Sequence, residues 1–230
     1  MAFTDRHGGV SAGPYDTRNL GGAVGDDPSA VARNRALTAG EFGLDPGAVV
    51  FMRQVHSPDV AYVTEPFAQQ PPALDGVCTD RPGLGLAVLV ADCAPVLLAD
   101  PARGLVGAAH SGRAGTVAGV VPALVAAMRA RGAGDLVALV GPMACGACYE
   151  VPGEMRAEVA EELPEAWSVT REGTPALDLR AGIAAQLKRA GVADVRHDAR
   201  CTIETGDLYS YRREHVTGRF AGYVWLTPAP

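Results

Sequence analysis

Three residues able to hold a metal ion, or to act as nucleophile and base, stand at the ends of short apolar runs. Cys93 follows "GLAVLVAD", His110 follows "GLVGAA", and His56 closes "VVFMRQVH". One thiolate and two imidazoles make three protein ligands, the number that leaves zinc an open fourth position for catalysis. The same residues support two other readings. Cys93 can be a nucleophile with His110 as its base and no metal. Alternatively, Cys93 packs in the core, as cysteine commonly does, while the histidines sit in loops. Ligands from distant segments leave no spacing signature, so residue chemistry by itself leaves these readings open.

Other residues suit anions. His110 opens "HSGRAG" ahead of a helical run, where free backbone N–H groups attract negative charge. Arg113 in that turn adds a planar cation suited to phosphate. In "YSYRREH" (209–215), Arg212 and Arg213 beside tyrosines suit a phosphate or a stacked base, and equally a solvated face. "CGAC" (Cys145–Cys148) is a CxxC, the spacing of a redox pair or half a zinc site. No second CxxC completes a four-cysteine site, and Gly141-Pro142 precedes it, so packed thiols are the favoured reading. His7, His197 and His215 lack neighbouring ligands and read as surface residues. The chain contains no GxxxxGK[ST] or GxGxxG phosphate loop and no HxE…PCxxC deaminase signature.

The elements that must position these groups follow from periodicity. Residues 31–42 read as a helix, and 49–56 and 59–63 as strands broken at Ser57-Pro58. Three apolar runs follow, Leu84–Ala91, Val96–Ala99 and Leu105–Ala109, and are expected to pair as a consecutive antiparallel meander. Its first and third strands would deliver Cys93 and His110 to one sheet edge. Val117, Val120, Val121, Leu124, Val125 and Met128 keep one face of a helix over 116–131. "DLVALVG" (135–141) reads as a buried strand, 152–163 as a helix with Pro152 in its first turn, Leu179–Leu187 as another helix, and 219–227 as a closing strand. The mixture predicts an α/β or α+β protein with a partly antiparallel sheet.

At 230 residues, without a low-complexity linker or a repeat, the chain reads as a single domain over 1–230. A net charge of −6 argues against a dedicated nucleic-acid binder but leaves room for a local arginine pocket. The start of the chain lacks signal-peptide layout, and the apolar runs are shorter than a membrane span. The five cysteines therefore read as reduced thiols in a cytoplasm.

Ordered motifs run nearly end to end: "FTDRHGGVS", "NLGGAVGDDPSAVARNRA", "RQVHSPDV", "DGVCTD", "ADCAPVLLAD", "AAHSG", "GPMACGACYEV", "CT" at 201, and "YSYRR…TGRFAGYVWL". With them the chain resembles the YfiH-like laccase-domain family, also called multicopper polyphenol oxidases and more recently assigned as purine nucleoside phosphorylases and adenosine deaminases. The resemblance implies a four-layer α/β/β/α fold, similar to the catalytic domain of cytotoxic necrotizing factor toxins. It also implies metal ligation by His56, Cys93 and His110. The implied cofactor is zinc, with copper possible on such donors. The implied substrates are purine nucleosides and inorganic phosphate, with phosphorolysis of adenosine, inosine, guanosine and S-methyl-5′-thioadenosine and deamination of adenosine. Here "HSGRAG" stands where the family has HAGWRG, which moves the arginine to position 113 and removes a tryptophan. Cys145 looks like an addition. Five histidines and no HxH pair cannot supply a multicopper cluster, so laccase chemistry is not expected. A metal-free cysteine hydrolase and a non-enzymatic binding protein are the rival expectations.

Overall fold

The computed structural model describes residues 1–68 and 70–227. The chain begins with β1 (Ala2–Phe3), α1 (Pro28–Glu41), β2 (Val49–Phe51), β3 (Val60–Tyr62) and β4 (Gly76–Thr79). Next come β5 (Gly85–Val90), β6 (Ala94–Asp100), β7 (Leu105–Ser111), α2 (Arg113–Ala118), α3 (Val120–Arg129) and β8 (Val137–Val140). The remainder holds α4 (Gly153–Glu162), β9 (Trp167–Val169), β10 (Pro175–Leu177), α5 (Leu179–Arg189), β11 (Asp194–His197), α6 (Tyr211–Glu214) and β12 (Phe220–Trp225).

Two mixed sheets stack face to face. One has the order β1-β12-β5-β2, the other β11-β8-β6-β7-β4-β3. Leu86, Val88, Val90, Phe220 and Val224 of the first meet Val77, Leu97, Val106 and Ala108 of the second in a shared core. The outer face of the larger sheet is covered by α3, α4 and α5 through Val121, Leu124, Met128, Val159, Ile183 and Leu187. On the outer face of the smaller sheet, Ala39 of α1 packs with Val49, Ala87, Ala221 and Tyr223. The order is therefore α/β/β/α, the four layers that the resemblance implied. Because β5 is buried on both faces, its run "GLAVLV" is continuously apolar rather than alternating.

That burial corrects the expected meander. β5 lies between β12 and β2 and does not pair with β6; after β5 the chain crosses to the larger sheet, which holds β6 and β7. The turn is made at Asp92, whose φ of 91° bends the chain out of the sheet plane. Of the three strands expected to pair in sequence, β6 and β7 form a hairpin, with β4 on the far side of β7. The strand expected over 49–56 stops at Phe51, and the helix expected over 116–131 is two helices, α2 and α3. They are separated at Gly119, whose φ of 86° is left-handed. The helix expected from residue 31 begins at Pro28, because Asp27 caps it by accepting the Ser29 N–H. No described helix is long and apolar enough to cross a membrane.

Candidate metal centre

The β6–β7 hairpin brings Cys93 and His110 together. His110 lies opposite Pro95 near the end of β7, and Cys93 immediately precedes β6. His56 arrives from the loop after β2. The three donor atoms lie within 4.8 Å of one another, with Cys93 Sγ 3.7 Å from His56 Nε2. The two imidazoles meet edge to face, 4.7 Å between centroids.

The arrangement is held by Asp75, which is fully buried just before β4. Its Oδ1 accepts from His110 Nδ1 at 2.7 Å. Its Oδ2 accepts the amides of Val55 and Ser57 at 2.9 and 2.7 Å, one on each side of His56. Those two bonds sustain His56 at a φ of 63°, unusual for a residue with a side chain. Because Nδ1–H of His110 donates to Asp75, the ring presents Nε2 toward the sulfur, the carboxylate–histidine pairing that orients metal ligands. Gly112 completes the cradle: a Cβ there would sit 2.5 Å from His56 Cδ2 and 2.8 Å from Cys93 Sγ.

Electrostatics couple the group. Burial would raise the Cys93 pKa, but His110 and then His56 outweigh it and bring the thiol down to about 6. Burial would likewise lower His110, and the Cys93 thiolate with Asp75 instead brings it up to about 9. Asp75 is held at about 2: burial pushes it up, and hydrogen bonds from His110, Ser57 and Val55 overcome that. One sulfur and two ring nitrogens fit a borderline-soft divalent ion such as zinc or copper.

Cys93 also lines a cleft with Asp92, Arg113, Tyr149, Leu179, Tyr211 and Arg212. Arg113 is the first residue of α2, beside the donor group. Arg212 donates to the Glu150 carbonyl at 2.9 Å and lies over the Tyr149 ring. Arg213 is not in the cleft. All three of its guanidinium nitrogens are engaged, by the carbonyls of Thr202, Ile203, Thr205 and Leu208 and by Glu214.

A family model described as multi-copper polyphenol oxidoreductase laccase matches residues 1–227. The chain belongs to that family. Among its laccase-like relatives is a Streptomyces griseus protein named purine nucleoside phosphorylase ORF3, 59% identical over 98% of this chain and 94% of its own. A purine nucleoside phosphorylase of Streptomyces coelicolor is also 59% identical, over 98% and 95%. Among solved structures, YlmD from Geobacillus stearothermophilus superposes with a TM-score of 0.91 at 33% identity, covering 98% of this chain and 91% of that one.

Sequence reasoning passed over Asp75, Gly112 and Asp92. The carboxylate of Asp92 accepts from the Thr202 hydroxyl and the Arg212 amide at 2.6 and 2.7 Å, tying the cleft walls to the β5–β6 turn. Its Asp-Cys pairing with the candidate ligand was the available signal.

Proposed function

We propose that this protein is a zinc-dependent purine nucleoside enzyme. It would phosphorolyse adenosine, inosine, guanosine and S-methyl-5′-thioadenosine, and deaminate adenosine. The observation carrying this reading is the juxtaposition of Cys93, from the donor group, with two arginines and two tyrosines around one cleft. The relatives named purine nucleoside phosphorylase support it.

Arg113 and Arg212 offer guanidinium forks to the anionic co-substrate, whose oxygens suit bidentate donation. Arg212 is braced by Glu150 and Tyr149 and so loses little side-chain freedom on binding. Tyr149, Tyr211 and Leu179 give a purine aromatic and apolar surface. Asp75 holds the His110 ring in place while charge changes around it. A bound zinc ion supplies a Lewis acid beside the cleft. Five histidines, and two donor groups among the described residues, are too few for a blue-copper site plus a trinuclear cluster.

The test is a nucleoside panel assayed with and without phosphate, separating adenine, inosine and hypoxanthine by chromatography. Cys93→Ala is expected to abolish both base release and deamination. Arg113→Ala is expected to raise the phosphate requirement about tenfold or more while deamination survives. Zinc-loaded protein that releases no base from any nucleoside in phosphate would overturn the reading. A second reading, a metal-free cysteine hydrolase, is favoured by one observation: Cys93, His110 and Asp75 form a nucleophile–base–orienter series. Activity that survives chelation and is lost on thiol alkylation would select it.

A further inference from the structure

A second donor group lies on the other side of the cleft wall. Cys145, Cys148, Cys201 and Glu204 bring three sulfurs and a carboxylate oxygen within 4.8 Å of one another. We propose that this group is a second metal site, structural in role, for zinc or a cation of like softness. It does not depend on the nucleoside reading.

The packed-thiol reading of "CGAC" omitted Cys201, which is 53 positions beyond Cys148 and reaches it through the fold. Sulfurs on a tetrahedral zinc lie about 3.8 Å apart, since each Zn–S bond is about 2.3 Å, so these donors need close by less than about 1 Å. The backbone is already arranged around the sulfurs. The amides of Cys148 and Tyr149 both donate to the Cys145 carbonyl, at 3.0 and 2.9 Å, folding the CxxC into a tight turn. The Cys145 amide points at Cys201 Sγ, 3.4 Å away, which fixes that sulfur beside the CxxC turn. Gly146 admits no side chain, because a Cβ would stand 2.7 Å from the Cβ of Asp178.

The fourth donor is oriented from outside. Arg171 pairs with Glu204 Oε1 at 2.5 Å, which leaves Oε2 directed toward Cys145 Sγ at 4.0 Å. The same guanidinium is 3.3 Å from Cys148 Sγ. Three thiolates and a carboxylate outweigh a divalent charge, and Arg171 is placed to offset the excess. On binding, each thiol gives its proton to solvent as its sulfur–metal bond forms, and Glu204 enters already ionised.

The site would act as a clip. It joins residues 145–148 to residues 201–204, already linked by the Met143–Cys201 bridge and the Thr202 amide on the Met143 carbonyl. Ala144 and Tyr149, on either side of the first segment, line the cleft, and Thr202 of the second holds Asp92. A metal here fixes the wall against which a ligand binds.

The test uses Cys93→Ala protein, which removes the thiolate of the first group and leaves this one intact. Stripped of metal under reducing conditions and titrated with cobalt(II), it is expected to develop thiolate-to-cobalt absorption saturating near about one equivalent, displaced by zinc. Adding Cys145→Ser and Cys201→Ser should remove that absorption. Should those substitutions disturb folding, alkylation of the Cys93→Ala protein with iodoacetamide gives a second measure. Zinc should protect Cys145, Cys148 and Cys201 while leaving Cys78 unchanged. Reduced, folded Cys93→Ala protein that shows neither cobalt absorption nor zinc protection of these thiols would overturn the proposal.

Discussion

Asp75 commits both carboxylate oxygens to the interior, one to His110 and one to the amides flanking His56. Asp75→Asn keeps its size but turns one oxygen into an N–H donor facing other donors. Metal affinity is expected to fall about 10- to 100-fold, measured by competition with a chelator while circular dichroism confirms the fold. Unchanged affinity would show that the donors hold their positions without the carboxylate. Gly112→Ala acts on the same cradle by sterics. Its methyl would press on His56 and Cys93, so the protein should lose stoichiometric metal while α2 and the hairpin persist. Metal content after desalting checks this. The donors themselves were legible, because cysteine and histidine at the ends of apolar runs are chemically conspicuous. Asp75 was not, because an Asp-Gly pair reads as an ordinary turn and only the packed chain shows that carboxylate to be fully buried.

At the scale of elements, the pairing of β6 with β7 delivers Cys93 and His110 to one point. The expected meander reached the same juxtaposition by a wrong route. Periodicity reveals which face of a run is apolar but not which sheet it joins, and β5, apolar on both faces, gave no clue. β4 was missed because four residues, "GVCT", carry too short a pattern. The break between α2 and α3 escaped for a related reason: the apolar spacing continues across Gly119 although the backbone does not. Gly119 sits at φ 86° with no severe contact for a Cβ, the nearest atom being Pro122 Cγ at 3.4 Å. Its requirement is therefore conformational. Gly119→Ala is expected to destabilise the protein by about 1–2 kcal/mol, and Gly119→Asn by less, because asparagine tolerates the left-handed region. Urea unfolding midpoints of the three proteins measure the order. Equal midpoints would show that α2 and α3 can merge into one helix.

Across the whole molecule, the layers are closed by contacts between the two ends of the chain. β1 pairs with β12, and Arg6 reaches Glu214 at 2.7 Å, 208 positions away. Glu214 also accepts from Arg213 and from the Thr217 hydroxyl. Partial burial raises the pKa of this carboxyl, but the hydrogen bonds from Thr217, Arg213 and Arg6 together outweigh it and hold the group below its ordinary value. A group depressed in the folded state binds its proton more readily when unfolded. Its contribution is therefore complete above the unfolded pKa, near about 4.3, and fades as pH falls through the lower folded value. Glu214→Gln removes the charge at every pH. At pH 7 the variant should be less stable by about 1 kcal/mol, a modest figure because the carboxylate is partly solvated. The gap should narrow as the solution is acidified below about pH 4, where the native carboxyl is itself becoming neutral. Urea midpoints of both proteins at pH 7 and at about pH 3 give the comparison. A gap that stays constant over that range would mean that Glu214 stabilises through shape and packing, with its charge contributing nothing to the closure of the chain ends.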